Sequence, residues 1–363
     1  MLRRSHKTLT LMIRAKIVGA GGYGGIGILE LLLRHPEAEV LSLVDVEHVG
    51  TRISDLYPHL AGFTDLAVVA ATDSAAQEPV DVVFMATPDG VGMALAPEAI
   101  EAGSRVVDYS GDFRFNTPEA YADYAQRIGR PTEHRSPDLL PRAVYGLPEL
   151  HRNEITHDTL VVGNPGCFAV SCILGLAPAV ATSLVSSEGL ICDCKTGVSG
   201  AGKKPAPPFH YPARYDQMNA YKLAGHQHVC EIERELGLLA NAPIAITFTS
   251  QVVPACRGIL STLYGRLEAP ITEADALSAY REFYSESSFI RVFASTAAIG
   301  TVHVRGTNFC NLTISVDTRT NTLRVVSHID NLVKGQAGSA LQNMNLLFGL
   351  DETTGLQAPG IYP

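Results

Sequence analysis

The sequence predicts an α/β fold in two parts, an N-terminal Rossmann-type, doubly wound parallel sheet and a second α+β domain. Three observations carry this. Short apolar strands alternate with helical stretches over residues 12–163, a glycine-dense turn joins the first strand to the first helix, and beyond residue 189 the texture changes to β-rich runs. At 363 residues the chain is long enough for two domains and a cleft between them.

The elements follow in order. Residues 14–19 read as a strand, 26–34 as a helix and 40–46 as a second strand. Strands at 80–86 and Arg105–Asp108 flank a helix at 91–102. Residues 159–163 form a buried strand that Pro165 and Gly166 must end, and 168–180 suit a helix stopping near Pro178. Leu190–Thr196, 245–253, 258–266, 309–317 and Thr322–Ile329 suit a mostly antiparallel sheet. A helix at 338–348 is apolar enough to pack back on the first domain. The expected division is an extension at 1–13, a dinucleotide-binding domain at 14–163, a catalytic and oligomerisation domain at 164–329 and a C-terminal segment at 330–363.

A net charge of −9 argues against a nucleic-acid surface and gives no support for binding an anionic membrane. No apolar run reaches transmembrane length. The seven cysteines show no CxxC spacing or framework, which fits a reduced, cytoplasmic setting. Cys192 and Cys194 share one side of a strand, but without a matching second pair no metal site is assigned. The basic start precedes too short an apolar run for a secretory leader, and Met12 begins the strand-first domain.

Cys167 stands in Gly163-Asn164-Pro165-Gly166-Cys167-Phe168, at a strand-to-helix turn. A free cysteine commonly just fills space. Here the unpaired N–H groups of the helix start are expected to stabilise a thiolate and later an oxyanion. Downstream, His228, Glu231 and Glu235 fall at i, i+3 and i+7 of an amphipathic stretch. One carboxylate orienting His228 would leave its other nitrogen for acid–base work, and His228 is preferred to His226.

Gly19-Ala20-Gly21-Gly22-Tyr23-Gly24 fits G-x-G-x-x-G between a strand and a helix, so a pyrophosphate can approach the backbone at the helix N-terminus. Asp45 closes the second strand. A carboxylate there bonds ribose hydroxyls and repels a 2′-phosphate, favouring NAD, whereas nearby His48 and Arg52 suit a 2′-phosphate, and the choice stays open. Ser199, Gly200, Gly202 and Lys203 belong to a flexible, donor-rich loop suited to phosphate or cofactor contacts. Arg114 follows the strand Arg105–Asp108 on the ligand side of the sheet and is a candidate clamp for an anion.

Taken in order, the glycine turn with Tyr23, the segments 108–114, 144–149, 163–167 and 197–202, the His226–Glu231 stretch and Ile329-Asp330-Asn331-Leu332-Val333-Lys334-Gly335 resemble the N-acetyl-gamma-glutamyl-phosphate reductases. These are NADP-dependent enzymes of arginine biosynthesis with a substrate and dimerisation domain of the semialdehyde-dehydrogenase type. The resemblance covers residues 14–363. It implies Cys167 as nucleophile, His226, His228 and Glu231 as the acid–base region, and Ser199–Gly202 near the cofactor, with Asn331 beside the nicotinamide. Asn164, Arg114 and Lys203 fall to the substrate, an acyl phosphate that releases phosphate. The resemblance further implies a homotetramer or dimer. Two departures stand out: Asp45-Val46-Glu47-His48 replaces a serine-rich stretch, so NAD use enters beside NADP, and Asp89 stands where a histidine is common. The rival readings are the carrier-protein-linked aminoadipate-phosphate reductases, aspartate-semialdehyde dehydrogenases, a nicotinamide-binding protein with a structural cysteine, and a cysteine acyltransferase without a redox cofactor.

Overall fold

The structure, a computed structural model, describes residues 12–362, so the expected extension lies outside it apart from its last two residues. Seven strands form the first sheet: β1 (Ile13–Val18), β2 (Ala38–Val44), β3 (Val68–Val69), β4 (Val82–Met85), β5 (Arg105–Asp108), β6 (Ala143–Tyr145) and β7 (Val161–Gly163). Their order is β3-β2-β1-β4-β5-β7-β6 and every neighbouring pair is parallel. The chain builds outward from β1 and then crosses back to β4. A crevice therefore opens at the carboxyl ends of these two strands, where such sheets bind ligands.

The second sheet contains β8 (Leu190–Thr196), β9 (Asn219–Tyr221), β10 (Ile246–Val252), β11 (Ile259–Arg266), β12 (Ile290–Ala294), β13 (Cys310–Asp317) and β14 (Thr322–Ile329). It runs β12-β13-β14-β11-β8-β10-β9. Only the β12/β13 and β8/β10 pairs are parallel, which gives the mostly antiparallel sheet that the alternating runs predicted.

The helix Cys167–Ala181 packs its apolar length on the inner face of this sheet, with Leu174, Leu176 and Ile173 in one core with Leu263, Leu312 and Val325. It runs past the expected stop, with Pro178 inside. Proline cannot supply an N–H to the carbonyl of Leu174, and that carbonyl would be orphaned in the core. The Tyr284 hydroxyl donates to it instead, at 2.6 Å. A tertiary bond thus replaces the local one.

The first helix, Tyr23–Leu32, starts earlier than its apolar pattern suggests and takes Gly24, Gly25 and Gly27 inside. A Cβ on Gly25 would strike the Gly19 carbonyl and the Ala20 backbone, so the glycine is kept for close packing of helix on turn. Leu29 of this helix shares a core with Leu341, Met344 and Leu347 of the last helix, Gly338–Leu347. Lys334 and Glu149, both buried, form a 2.7 Å ion pair that fastens the C-terminal segment to the first sheet's connections. Helices Pro118–Arg127 and Glu273–Phe283 had no counterpart in the sequence reading, although Thr117 and Thr272 cap them with bonds to Ala120 and Asp275.

Candidate active site

The glycine turn, the start of the Cys167 helix, the loop after β8 and the segment after β14 enclose a cleft of about 570 Å³. Of the site residues expected from sequence, all line this cleft except His226, Glu231 and Asn164. A second pocket of about 430 Å³ opens from the same thiol, and Cys167, His228, His226, Tyr221 and Arg214 line it. Cys167 and His228 stand where the two meet.

Gly19 turns the chain with φ +82°, and a side chain there would collide with the Ala86 carbonyl. The helix beyond begins at Gly22 with no side-chain cap, so its first N–H groups remain available to an anion. Asp45, just past β2, is tied to this turn: one carboxylate oxygen accepts from the Gly21 N–H at 2.8 Å, the other from Val46 and Glu47 at 2.7 and 3.1 Å. The Tyr57 hydroxyl donates to the Gly21 carbonyl at 2.7 Å. Lys203 approaches from the second domain, its ammonium 5.6 Å from the Tyr57 ring centroid, and Lys204 pairs with Glu47 at 3.2 Å. Carboxylates and ammonium groups thus share the ribose end of the cleft.

At the thiol, the helix start does not produce the expected thiolate. Burial pushes Cys167 up to about 11, outweighing the lowering by the Phe168 and Cys167 N–H groups. Burial, aided by Arg114, also holds His228 well below its ordinary value. The pair therefore rests as a neutral thiol and a neutral imidazole. His228 reaches the thiol's neighbour closely: a Cβ on Gly166 would overlap its ring. His226 is driven down to about 2, chiefly by burial, and its Nδ1 accepts the backbone N–H of His228 at 3.2 Å, capping the helix His228–Ala240.

Glu231 does not orient His228 as anticipated, because its Oε1 is 4.0 Å from Nε2. It is fully buried and receives three donors instead: Arg114 at 2.8 Å, the Tyr145 hydroxyl at 3.0 Å and the Gly166 N–H at 3.0 Å. Among the described residues, His228 Nδ1 has no hydrogen-bond partner. Arg114, besides Glu231, donates to the carbonyls of Asn164 at 2.8 Å and Tyr109 at 2.6 Å. Its guanidinium braces the floor beneath Cys167, which leaves less of it for an anion than the sequence suggested. Asn164 departs further from expectation. Its side chain is 1% exposed, donates to the Gln336 carbonyl at 3.0 Å and accepts from Asn343 at 3.2 Å, so it faces the protein and not the cleft.

Across the cleft, Asn331 accepts from the Gly258 N–H at 2.7 Å and donates to the Ser199 hydroxyl at 2.9 Å, which pins the loop after β8 to the segment after β14. Gly202 takes φ +82° where this loop turns. Tyr145, Tyr221 and Arg214 were not picked out from sequence. Tyr145 does lie inside the 144–149 motif, a signal that was available.

The structure also accounts for Asp89. Its carboxylate accepts from the Gly111 N–H at 2.8 Å and the Tyr124 hydroxyl at 2.7 Å, fastening the loop that carries Arg114. Beside it Asp108 is fully buried, with one oxygen unpartnered among the described residues, and burial and then Asp112 raise it to about 8. The folded state therefore keeps a proton that the unfolded chain loses above about pH 4. Stability falls as pH rises from there to about 8, by at most about 1.4 kcal/mol per pH unit from this group. Asp108→Asn removes the slope: in urea titrations between pH 5 and 8, the variant should gain on the wild type as pH increases. A constant difference would show that Asp108 does not hold the proton.

Two family models match: "Semialdehyde dehydrogenase, NAD binding domain" over residues 14–157 and "Semialdehyde dehydrogenase, dimerisation domain" over residues 167–331. Among curated relatives, the N-acetyl-gamma-glutamyl-phosphate reductase of Symbiobacterium thermophilum is 43% identical over 97% of this chain and 100% of its own. That of Geobacter metallireducens is 42% identical with the same coverage. Among solved structures, aspartate semialdehyde dehydrogenase II from Vibrio cholerae superposes with a TM-score of 0.70 at 18% identity, covering 93% of this chain and 99% of that one. The Candida albicans enzyme with NADP gives 0.65 at 16%, covering 93% and 98%. These two likenesses bear on the fold.

Proposed function

Because the chain belongs to the semialdehyde dehydrogenase family, and within it to the N-acetyl-gamma-glutamyl-phosphate reductases, we propose that it reduces N-acetyl-L-glutamyl 5-phosphate to the 5-semialdehyde and phosphate, a step of arginine biosynthesis. The observation that carries the reading is the meeting of an uncapped glycine turn and the Cys167–His228 pair in one cleft. A nicotinamide dinucleotide fits this cleft: the Gly19 turn and free helix N–H groups suit a pyrophosphate, and Asn331 with Ser199 closes the far wall. When bound, the cofactor supplies the hydride.

The residues do the rest. Neutral His228 takes the Cys167 proton as the sulfur attacks the acyl carbon and the C–O bond to phosphate breaks. N–H groups at the helix start face the oxyanion; that of Gly166 is spent on Glu231, which leaves Cys167 and Phe168. After reduction of the thioester, His228 gives its proton to the thiohemiacetal oxygen, removes it again as the C–S bond breaks, and returns it to sulfur. Thiol and imidazole end as they began. Glu231 and Arg114 hold the Gly166 corner rigid, and His226 fixes the start of the His228 helix.

NADP is the proposed cofactor, with Lys203 and Lys204 toward the 2′-phosphate and Asp45 admitting NAD. The domain division at 163/164, a cytoplasmic setting supported by seven free cysteines, and a homotetramer built through the matched dimerisation domain complete the proposal. The test is the reverse reaction. N-acetylglutamate semialdehyde, phosphate and NADP⁺ should give absorbance growth near 340 nm, and folded protein that gives none with either NADP⁺ or NAD⁺ refutes the reading. In the same assay Asp45→Ser should move the kcat/KM ratio toward NADP⁺ by about tenfold, as expected when a carboxylate facing a phosphate is removed. An unmoved ratio would clear Asp45 as the selector.

A further inference from the structure

Three lysine or arginine side chains are buried among the described residues. Two of them face a buried carboxylate, Arg114 with Glu231 and Lys334 with Glu149. The third, Arg214, is 6% exposed and pairs with no carboxylate among the described residues. Its N–H groups donate to the carbonyls of Pro208 at 3.1 and 3.2 Å, Gln217 at 3.0 Å and Val252 at 3.4 Å, and to Asn219 Oδ1 at 2.8 Å. These partners are neutral dipoles, so the buried charge still lacks a counter-ion.

Arg214 stands in the wall of the 430 Å³ pocket that opens from the Cys167 thiol. No aspartate or glutamate lines that pocket, whereas Lys222 does. Lys222 holds φ +49°, a left-handed conformation that a lysine rarely adopts, and its ammonium donates to the neutral amide of Gln227 at 2.8 Å. The edge strand β9 supplies the rest. Residues two apart in a strand point the same way, and Asn219 and Tyr221 both line the pocket. Because Arg214 holds Asn219 Oδ1, Nδ2 is turned away from it, with one N–H on the Ala220 carbonyl at 3.0 Å and the other open to a ligand.

We propose that this pocket receives the acyl group of the substrate, and that Asn219 Nδ2–H and the Lys222 ammonium bind the carboxylate at its far end, with the charge of Arg214 behind them. Phe168 and Val198 give the methylenes between an apolar wall. Cations with no carboxylate among them favour an acylated amine beside that carboxylate and disfavour a free ammonium. This inference rests on the acyl-phosphate reading of the Cys167 site. It moves recognition of the substrate's tail away from Arg114 and Asn164, whose side chains the fold turns to Glu231 and Gln336.

The test compares two aldehydes in the oxidative direction with phosphate and NADP⁺. One is N-acetylglutamate 5-semialdehyde; the other is 4-acetamidobutanal, the same molecule with hydrogen in place of the carboxylate. Wild-type protein should favour the first in kcat/KM by about a hundredfold, as expected when charged hydrogen bonds in a desolvated pocket are lost. Lys222→Met and, separately, Asn219→Ala should cut that ratio to about tenfold. Arg214→Met should cut it as far, and the other two variants decide the matter if this one does not fold. Lys222 also adds to the lowering of His228 by burial and Arg114, but that influence acts on both aldehydes alike, so the ratio reports the carboxylate. A wild type without preference, or variants that lose activity toward both aldehydes equally, overturns the subsite. A wild type that oxidises neither aldehyde would instead strike the reductase reading itself.

Discussion

Replacing Cys167 with serine should lower turnover at least about a thousandfold while dinucleotide affinity and thermal stability stay near wild type. The sulfur is the only atom exchanged, for a slightly smaller oxygen on a half-buried side chain at the edge of the core where it lines the cleft, so packing changes little. The chemistry changes greatly. A hydroxyl is a far weaker nucleophile, and a neutral His228 would have to strip a proton from a group much less acidic than a thiol. The resting state sharpens the test. With the thiol raised to about 11, alkylation by iodoacetamide at pH 7 should be slow in the free protein and should accelerate toward alkaline pH. Wild-type protein given acyl phosphate without cofactor should release phosphate and gain an acyl mass on Cys167. A serine variant that retains a tenth of the activity, or an acyl group found elsewhere, would remove Cys167 from the chemistry.

The second large effect concerns the pair beneath the thiol. Arg114 and Glu231 are 7% and 0% exposed, so Glu231→Ala strands a buried guanidinium. Loss of about 3–5 kcal/mol is expected, against a total of about 5–15 kcal/mol for a typical protein. Activity in the surviving folded fraction should also fall, because the Gly166 N–H and the Tyr145 hydroxyl lose their acceptor together. Arg114→Leu combined with Glu231→Leu should cost less than the two single changes summed, since no charge is then left unpaired. Chemical denaturation of the four proteins measures this directly. Additive costs would mean that the two side chains act independently.

The fold was legible where periodicity and punctuation agree. Strands such as Leu190–Thr196 and Thr322–Ile329 announce themselves by alternation, and the glycine turn by its glycines. Strands of two or three residues, Val68–Val69, Ala143–Tyr145 and Asn219–Tyr221, leave no pattern to find. The Pro118–Arg127 helix did leave one, in Thr117 before a proline. Pro178 misled because its remedy, Tyr284, lies far along the chain. At the site, Cys167 and His228 could be paired from motif and helical spacing. The partner of Glu231 could not, because Arg114 sits 117 residues away and no local rule joins them. Nor could the protonation of the thiol be foreseen: a helix start is visible in sequence, but the burial that overrides it belongs to the assembled cleft.

The return of the C-terminal segment bears on the order in which the enzyme comes into being. The β1–β7 sheet is synthesised first, yet one flank of its core is furnished by Leu341, Met344 and Leu347, and Gly335 closes on Cys167 from the same late stretch. A ribosome that has delivered both the glycine turn and the nucleophile has still not delivered a catalyst. Until those last residues clear the exit tunnel, the nascent sheet carries a bare apolar flank, and that interval is when it most needs a chaperone's cover.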